Sequence, residues 1–259
     1  MVICVFAQLR KYANTNTRHM ENSIFSRLEI LLNNHNLEKL SKLTIAIFGL
    51  GGVGGITTEL LCRSGIKNLI ICDFDKVQLS NLNRQILYTI NDIEKFKVDI
   101  VEKRLLSINP KIKIIKLNNR IDDEFINNYL PNYKFDFAID AIDSLKAKAD
   151  LIIYLLKNNI PFISSMGAAG KTDITKIRCD YIENTVNCRL SAVLKKKLRK
   201  QIEINKNIFV VYSPERQKKG IYPPTAEPSK IINGSIAHIT NTFGAYCVDY
   251  FFKLFINAL

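Results

Sequence analysis

Residues 44–73 read TIAIFGLGGVGGITTELLCRSGIKNLIICD, and this stretch decides the fold. Thr44–Phe48 is a short apolar run bounded by glycine, which reads as a buried strand. Gly49, Gly51, Gly52 and Gly54 follow as GLGGVG, and Ile56–Ser64 then has helical spacing. Leu69–Asp73 is a second apolar strand. Between a strand and a helix, glycines let the backbone turn tightly and approach a phosphate. The helix N-terminus adds N–H donors and a favourable dipole. Asp73 ends the second strand, 24 residues after Gly49, where a carboxylate can accept hydrogen bonds from ribose hydroxyls. The four glycines and Asp73 define a nucleotide site, and alone they suit NAD as well as ATP.

Outward from this unit, strands and helices alternate. Ser23–Leu40 reads as one or two helices with Arg27 near the start. Gln78–Gln85 suits a loop or short helix, and Ile93–Ile108 a helix stopped by Asn109-Pro110. Ile112–Leu117 is a strand and Ile121–Leu130 a helix. Phe135–Asp140, Ser144–Asn158 and Pro161–Ser165 continue as strand, helix, strand. This alternation predicts an α/β, Rossmann-like, mostly parallel sheet with helices on both faces. After residue 170 the pattern weakens into an irregular, partly antiparallel part. Ile174–Asp180 reads as an antiparallel strand, Ser191–Gln201 as a basic helix and Phe209–Tyr212 as a strand. Residues 213–230, rich in Pro, Lys and Gly, read as a mobile loop before a final helix. Residues 1–22 read as a flexible extension, with Met20 as an alternative start, and residues 23–259 as one domain.

Composition sets limits on function. The chain has 259 residues, enough for one large α/β domain. Lys plus Arg number 37 against 24 Asp plus Glu, a net charge of +13, which suits a polyanionic partner as well as plain solubility. Among Cys4, Cys62, Cys72, Cys179, Cys188 and Cys247 there is no CxxC pair, which argues against a structural zinc of the two-CxxC type. Cys62 and Cys72 fall in apolar patterns and read as buried thiols of a reducing cytoplasm. The apolar C-terminal stretch is interrupted by His238, Asp249 and Lys253, so it reads as a packed helix and not a stable membrane insertion.

Two further motifs separate NAD from ATP. Asp73-Phe74-Asp75 is followed by Ser80-Asn81-Leu82-Asn83-Arg84-Gln85, and Lys97 lies 13 residues after Arg84. An NAD site needs few cations here, whereas a triphosphate carries several negative charges. Arg84 can fork onto phosphate oxygens and Lys97 can act as a point charge. Asp140-Ala141-Ile142-Asp143-Ser144 stands at the C-terminal end of a strand, the edge where open α/β sheets bind ligands. Asp143 can reach a Mg²⁺ that bridges phosphates, or cap the next helix together with Ser144.

GLGGVG, DFD, SNLNRQ, Lys97 and DAIDS occur in this order and at close spacing. The chain thereby resembles the ThiF/MoeB family of adenylyltransferases, relatives of ubiquitin-activating enzymes. The resemblance is firm over residues 23–170 and weaker beyond. It implies ATP and Mg²⁺ as cofactors and adenylation of a carboxylate with release of pyrophosphate. It further implies that Asp73 binds ribose, that Asn81, Arg84 and Lys97 handle phosphates, and that Asp143 holds the metal. Arg27 matches the arginine that reaches into the partner subunit's site in a homodimer, although its distance from Gly49 is slightly long.

Within the family the chain is most similar to the tRNA threonylcarbamoyladenosine dehydratase branch. The similarity rests on DAIDSLKAK (Asp140–Lys148), on ISSMGAAGKTDITKI (163–177), and on the missing CxxC pairs. It implies that the carboxylate of threonylcarbamoyladenosine, beside the anticodon, is adenylated and then cyclised with net loss of water. The implied partners are a tRNA anticodon stem-loop, not DNA, and a second copy of the chain, with room for a sulfur-transfer protein. The basic run Lys195–Lys200 reads as a tRNA backbone contact or as a solvated helix face. Asn233-Gly234-Ser235 stands where some relatives carry a cysteine, so no thioester step is expected. Three other readings remain: activation of the C-terminal glycine of a ubiquitin-like sulfur carrier, an NAD-dependent oxidoreductase, and a non-catalytic nucleotide- or tRNA-binding module.

Overall fold

The computed structural model describes residues 23–200, 208–221 and 232–256. The expected extension 1–22, Cys4 and residues 222–230 of the expected loop lie outside the described residues. Helix α1 (Ser26–Lys42) leads into β1 (Thr44–Phe48), α2 (Gly54–Arg63) and β2 (Asn68–Cys72). Then follow α3 (Lys97–Ile108), β3 (Lys113–Leu117), β4 (Phe137–Asp140), α4 (Leu145–Lys157) and β5 (Phe162–Ser165). The C-terminal part adds β6 (Arg178–Tyr181), α5 (Arg189–Arg199), β7 (Phe209–Tyr212) and α6 (Ala237–Ile256).

The seven strands form one sheet in the order β3-β2-β1-β4-β5-β7-β6. Every neighbouring pair is parallel except β6 and β7. Period-two alternation explains how both faces are covered. Ile45, Ile47, Ile71 and Ile139 point into one core with Leu61, Val101, Leu105 and Phe243 of α2, α3 and α6. Ala46, Phe48, Ile70 and Ala138 point into the other with Leu151, Leu155, Leu194 and Leu198 of α4 and α5.

The strand order places a crevice. From β1 the chain steps outward to β2 on one side, and β4 later enters on the other. Beyond the carboxyl ends of β1 and β4 the two connections diverge, which is the position where open α/β sheets bind ligands.

The first helix is kinked into two, within the expectation of one or two, and two other expected helices differ in form. α1 is broken at Asn33, whose φ of +62° is non-helical, and Asn33 Oδ1 restarts the helix by accepting the Asn36 N–H at 3.0 Å. The helix expected from Ile93 begins only at Lys97. Glu94 has φ +67°, and residues 94–97 pair with the backbone of Asp75 and Val77 instead. The helix expected over Ile121–Leu130 is reduced to one wide turn, Phe125–Tyr129, and a tight turn, Leu130–Asn132. Asp122 caps that wide turn by accepting the Phe125 N–H at 3.0 Å, and Pro131 ends it because it has no N–H to donate.

Candidate active site

The glycine loop joins β1 to α2, and its glycines serve different ends. Gly49 has φ +90°, and a Cβ there would stand 2.8 Å from the Ala141 carbonyl oxygen. A Cβ on Gly54 would stand 1.8 Å from Gly49 O, and one on Gly52 2.9 Å from Thr240. These three are demanded by packing within the chain. Gly51 is not, since the nearest atom to its Cβ position is Gln85 Nε2 at 3.8 Å. A glycine whose Cβ position is not crowded lets a ligand approach the backbone. Gln85 is buried beside it, and its Oε1 has no hydrogen-bond partner among the described residues. A buried amide oxygen without a partner is the kind of group a bound ligand satisfies.

Asp73 stands just past β2 and is 7% exposed. Its Oδ2 accepts the Leu50 N–H at 2.6 Å and its Oδ1 the Asp75 N–H at 2.8 Å, so the carboxylate ties the glycine loop to the second strand. Burial pushes the Asp73 carboxyl above its ordinary value, although the Lys97 charge and both N–H donors oppose the rise. Lys97, in the first turn of α3, is only 4% exposed. Its Nζ lies 2.8 Å from Asp75 Oδ2 and 4.0 Å from Asp73 Oδ2. The late start of α3 places Lys97, because pairing of residues 94–97 with 75–77 sets its ammonium between the two aspartates. Tyr88 donates its hydroxyl to Leu50 O at 2.7 Å, and burial raises the phenol well above its ordinary value.

Arg84 arrives on a tight turn, Leu79–Asn81. Asn81 builds that turn, since its Oδ1 accepts the Gln78 N–H at 3.1 Å and its carbonyl accepts the N–H groups of Arg84 and Gln85. The half-buried Arg84 side chain donates to Ser80 O at 2.8 Å and Asn83 Oδ1 at 3.0 Å, and no carboxylate among the described residues neutralises it. The Arg84 carbonyl lies 3.2 Å from a Cβ placed on Gly52, so the turn abuts the glycine loop.

The DAIDS segment contains two carboxylates with different fates. Asp140 is fully buried and ion-pairs with fully buried Lys148 at 2.8 Å. It also accepts Ser164 Oγ at 2.6 Å and the Ile142 N–H at 3.1 Å. Lys148 completes its bonding with Ser164 Oγ at 3.2 Å and Ser165 O at 2.9 Å. This network fixes the loop after β4 to α4 and β5. Asp143, three residues on, is exposed and joins no ion pair among the described residues. Ser144 holds the N-cap position of α4 without a side-chain capping bond. Ala141 against Gly49 brings this loop to the glycine loop.

Gly49, Gly51, Gly52, Gly54, Asp73, Asn81, Arg84, Lys97 and Asp143 thus gather at the C-terminal edge of the sheet. Arg27 does not join them. It is exposed on α1, whose neighbouring Leu28 packs near Gly65, ahead of β2 and at the other end of the strands. Asp75, Gln85 and the Asp140–Lys148–Ser164 network belong to the site but escaped assignment from sequence. Asp75 was visible as the second aspartate of DFD, whereas burial of Gln85 has no local signature.

A model of the ThiF family matches residues 25–258, and the chain belongs to that family. It is 37% identical over 191 residues to the tRNA threonylcarbamoyladenosine dehydratase of Bacillus subtilis, covering 74% of each chain. It is 34% identical to the Haemophilus influenzae protein of the same name, over 83% of this chain and 86% of that one. Among solved structures it is similar to the E. coli tRNA N6-threonylcarbamoyladenosine dehydratase in complex with ATP. That likeness has a TM-score of 0.81 and 28% identity over 90% of this chain and 94% of the other.

Proposed function

We propose that the protein is an ATP-dependent tRNA threonylcarbamoyladenosine dehydratase. The observation that carries the reading is the convergence of an open glycine, two cations and a free carboxylate where β1 and β4 end. A dinucleotide has no use for Arg84, Lys97 and Asp143 together, while a triphosphate with its metal does.

Each group has a chemical task. Asp73 accepts the ribose hydroxyls. Arg84 and Lys97 hold the phosphates, and Asn81 keeps Arg84 in place. Asp143 would be the carboxylate that holds Mg²⁺, which when bound would supply positive charge to the phosphates. A carboxylate is a poor electrophile because oxide would have to leave. One carboxylate oxygen of the threonylcarbamoyl group attacks the α-phosphorus and pyrophosphate departs. A nucleophile already tethered in the modified base then attacks the activated carbonyl, and AMP departs with that oxygen, so the base loses one water overall. Tethering gives this second step a high effective molarity. The chain's own residues position the groups and stabilise phosphoryl charge.

The protein acts as a homodimer in which Arg27 serves the neighbouring site. Arg27 is remote from its own glycine loop, and Ile24, Ile30 and Leu31 near it are 63%, 66% and 78% exposed, an apolar surface that a second copy can cover. The cytoplasm suits free Cys62, Cys72, Cys188 and Cys247, all buried as thiols. Pyrophosphate release with ATP, Mg²⁺ and threonylcarbamoyl-bearing tRNA tests the reading. Release driven instead by a ubiquitin-like carrier ending in glycine would transfer the assignment to sulfur-carrier activation.

A further inference from the structure

The segment after β7, residues 213–221, belongs to the same edge as the nucleotide site and carries charge that the site does not use. It is fastened to the turn after β5 at several points. The Glu215 carboxylate accepts the Thr172 N–H at 2.9 Å, the Thr172 hydroxyl at 2.9 Å and the Asp173 N–H at 3.0 Å. The buried ammonium of Lys171 donates to Ser213 O and Glu215 O. Lys218 N–H donates to Gly170 O at 2.9 Å, and Gly170 N–H to Gly234 O at 2.8 Å. Gln217 Nε2 reaches Asn233 Oδ1 at 3.0 Å. Asn83 Nδ2 then donates to Ser235 O at 2.9 Å, which connects this assembly to the turn bearing Arg84.

The result is a continuous rim from Arg84 through Ser235 and Gly170 to Lys218. Glu215 faces inward and stays ionised, since the N–H donors of Thr172 and Asp173 outweigh its slight burial. Arg216, Lys218 and Lys219 are exposed, and no ion pair among the described residues neutralises them. The basic face of α5 is different. There Lys197 pairs with Asp150 at 3.2 Å and Arg199 with Glu183 at 2.7 Å. The fold thus neutralises two cations of its most basic helix, where Arg189, Lys195 and Lys196 join no ion pair among the described residues, and it also holds three exposed cations on the rim that leads to Arg84.

We infer that Arg216, Lys218 and Lys219 form the docking strip for the phosphate backbone of the RNA substrate, held against the active-site edge by Glu215 and Lys171. This rests on the tRNA reading above and adds the surface that reading lacks. A polyanion laid along this strip follows the rim that leads through Ser235 to the turn bearing Arg84. Phosphate contacts of this kind set position and register without reading sequence.

The test uses the full chain with R216E/K218E/K219E, and K196E/K200E on α5 and its C-cap as the comparison. Binding of tRNA is followed by fluorescence anisotropy over a salt series, with ATP affinity and circular dichroism confirming an intact fold. The loop variant should bind tRNA on the order of 100-fold more weakly, and its log–log salt slope should fall by about 2, the share of three phosphate contacts. ATP affinity should not change, and the α5 variant should stay close to wild type. Equal affinity and slope in wild type and loop variant would overturn the inference, as would a loss confined to the α5 variant. Binding without conversion of the modified nucleoside would count against the proposed function and leave the docking strip standing. Absence of tRNA binding by the wild type would remove both.

Discussion

Gly51 and Gly54 stand three residues apart and answer to different physical demands. A methyl group at 54 would collide with Gly49 O, whereas one at 51 meets nothing closer than 3.8 Å. Gly54→Ala should therefore destabilise the protein by at least about 3 kcal/mol, the cost of overpacking against backbone that cannot yield, as read by denaturant unfolding. Gly51→Ala should unfold like wild type yet lose ATP affinity by calorimetry, because the added methyl occupies the space before the loop. Equal loss of stability in both variants would mean that the loop is purely structural. Arg84→Ala should lower turnover on the order of 1000-fold with a native circular dichroism spectrum, since it removes phosphate charge and no core packing. The sequence identified these residues because glycine between strand and helix, followed by isolated cations, has few other uses. It could not tell that Asp140 is buried and Asp143 free, because both belong to one short motif and only packing separates them.

At the scale of elements, Glu59 joins α2 to α3. It accepts Arg63 Nε at 2.8 Å along its own helix, and Arg104 Nε at 2.9 Å and an Arg104 terminal nitrogen at 3.2 Å from the neighbouring one. Burial alone would raise its carboxyl, but the two guanidiniums outweigh burial and hold it below the ordinary 4.5. A carboxyl lowered by folding stabilises the native state fully above its unfolded value. That contribution disappears as the pH falls through the lowered folded value. Glu59→Gln should therefore cost about 2 kcal/mol at neutral pH, the size of a charged hydrogen-bond pair. The gap to wild type should close as the pH is lowered below 4.5. A gap independent of pH would show that packing, and not the ion pair, is lost.

Element boundaries were legible where one force dominates. β1 and β7 match their apolar runs residue for residue, because their side chains are buried in both cores. The start of α3 was not legible, because the backbone pairing of 94–97 with 75–77 is a tertiary contact that overrides an apolar pattern beginning at Ile93. The same holds for 121–130, where helical spacing is present but Pro131 and a capped wide turn limit it.

For the whole molecule, the mostly parallel sheet follows from βαβ alternation, whereas the strand order and the position of Arg27 at the far end of the strands could not be read from spacing. Its location makes the assembly testable. Arg27→Ala and Arg84→Ala should each be inactive alone. When mixed and allowed to exchange subunits they should recover about one quarter of wild-type activity, since half of the dimers then hold one intact site of two. No recovery, with exchange verified, would place Arg27 outside the neighbouring site. The net charge of +13 likewise acts at this scale, where it suits a polyanionic partner as well as plain solubility.

The central claim is the reaction itself, and mass spectrometry of tRNA nucleosides addresses it most directly. After incubation of threonylcarbamoyl-bearing tRNA with the protein, ATP and Mg²⁺, the modified nucleoside should be lighter by one water, and only when ATP is present. An unchanged nucleoside, with ATP consumed on a carrier protein instead, would contradict it.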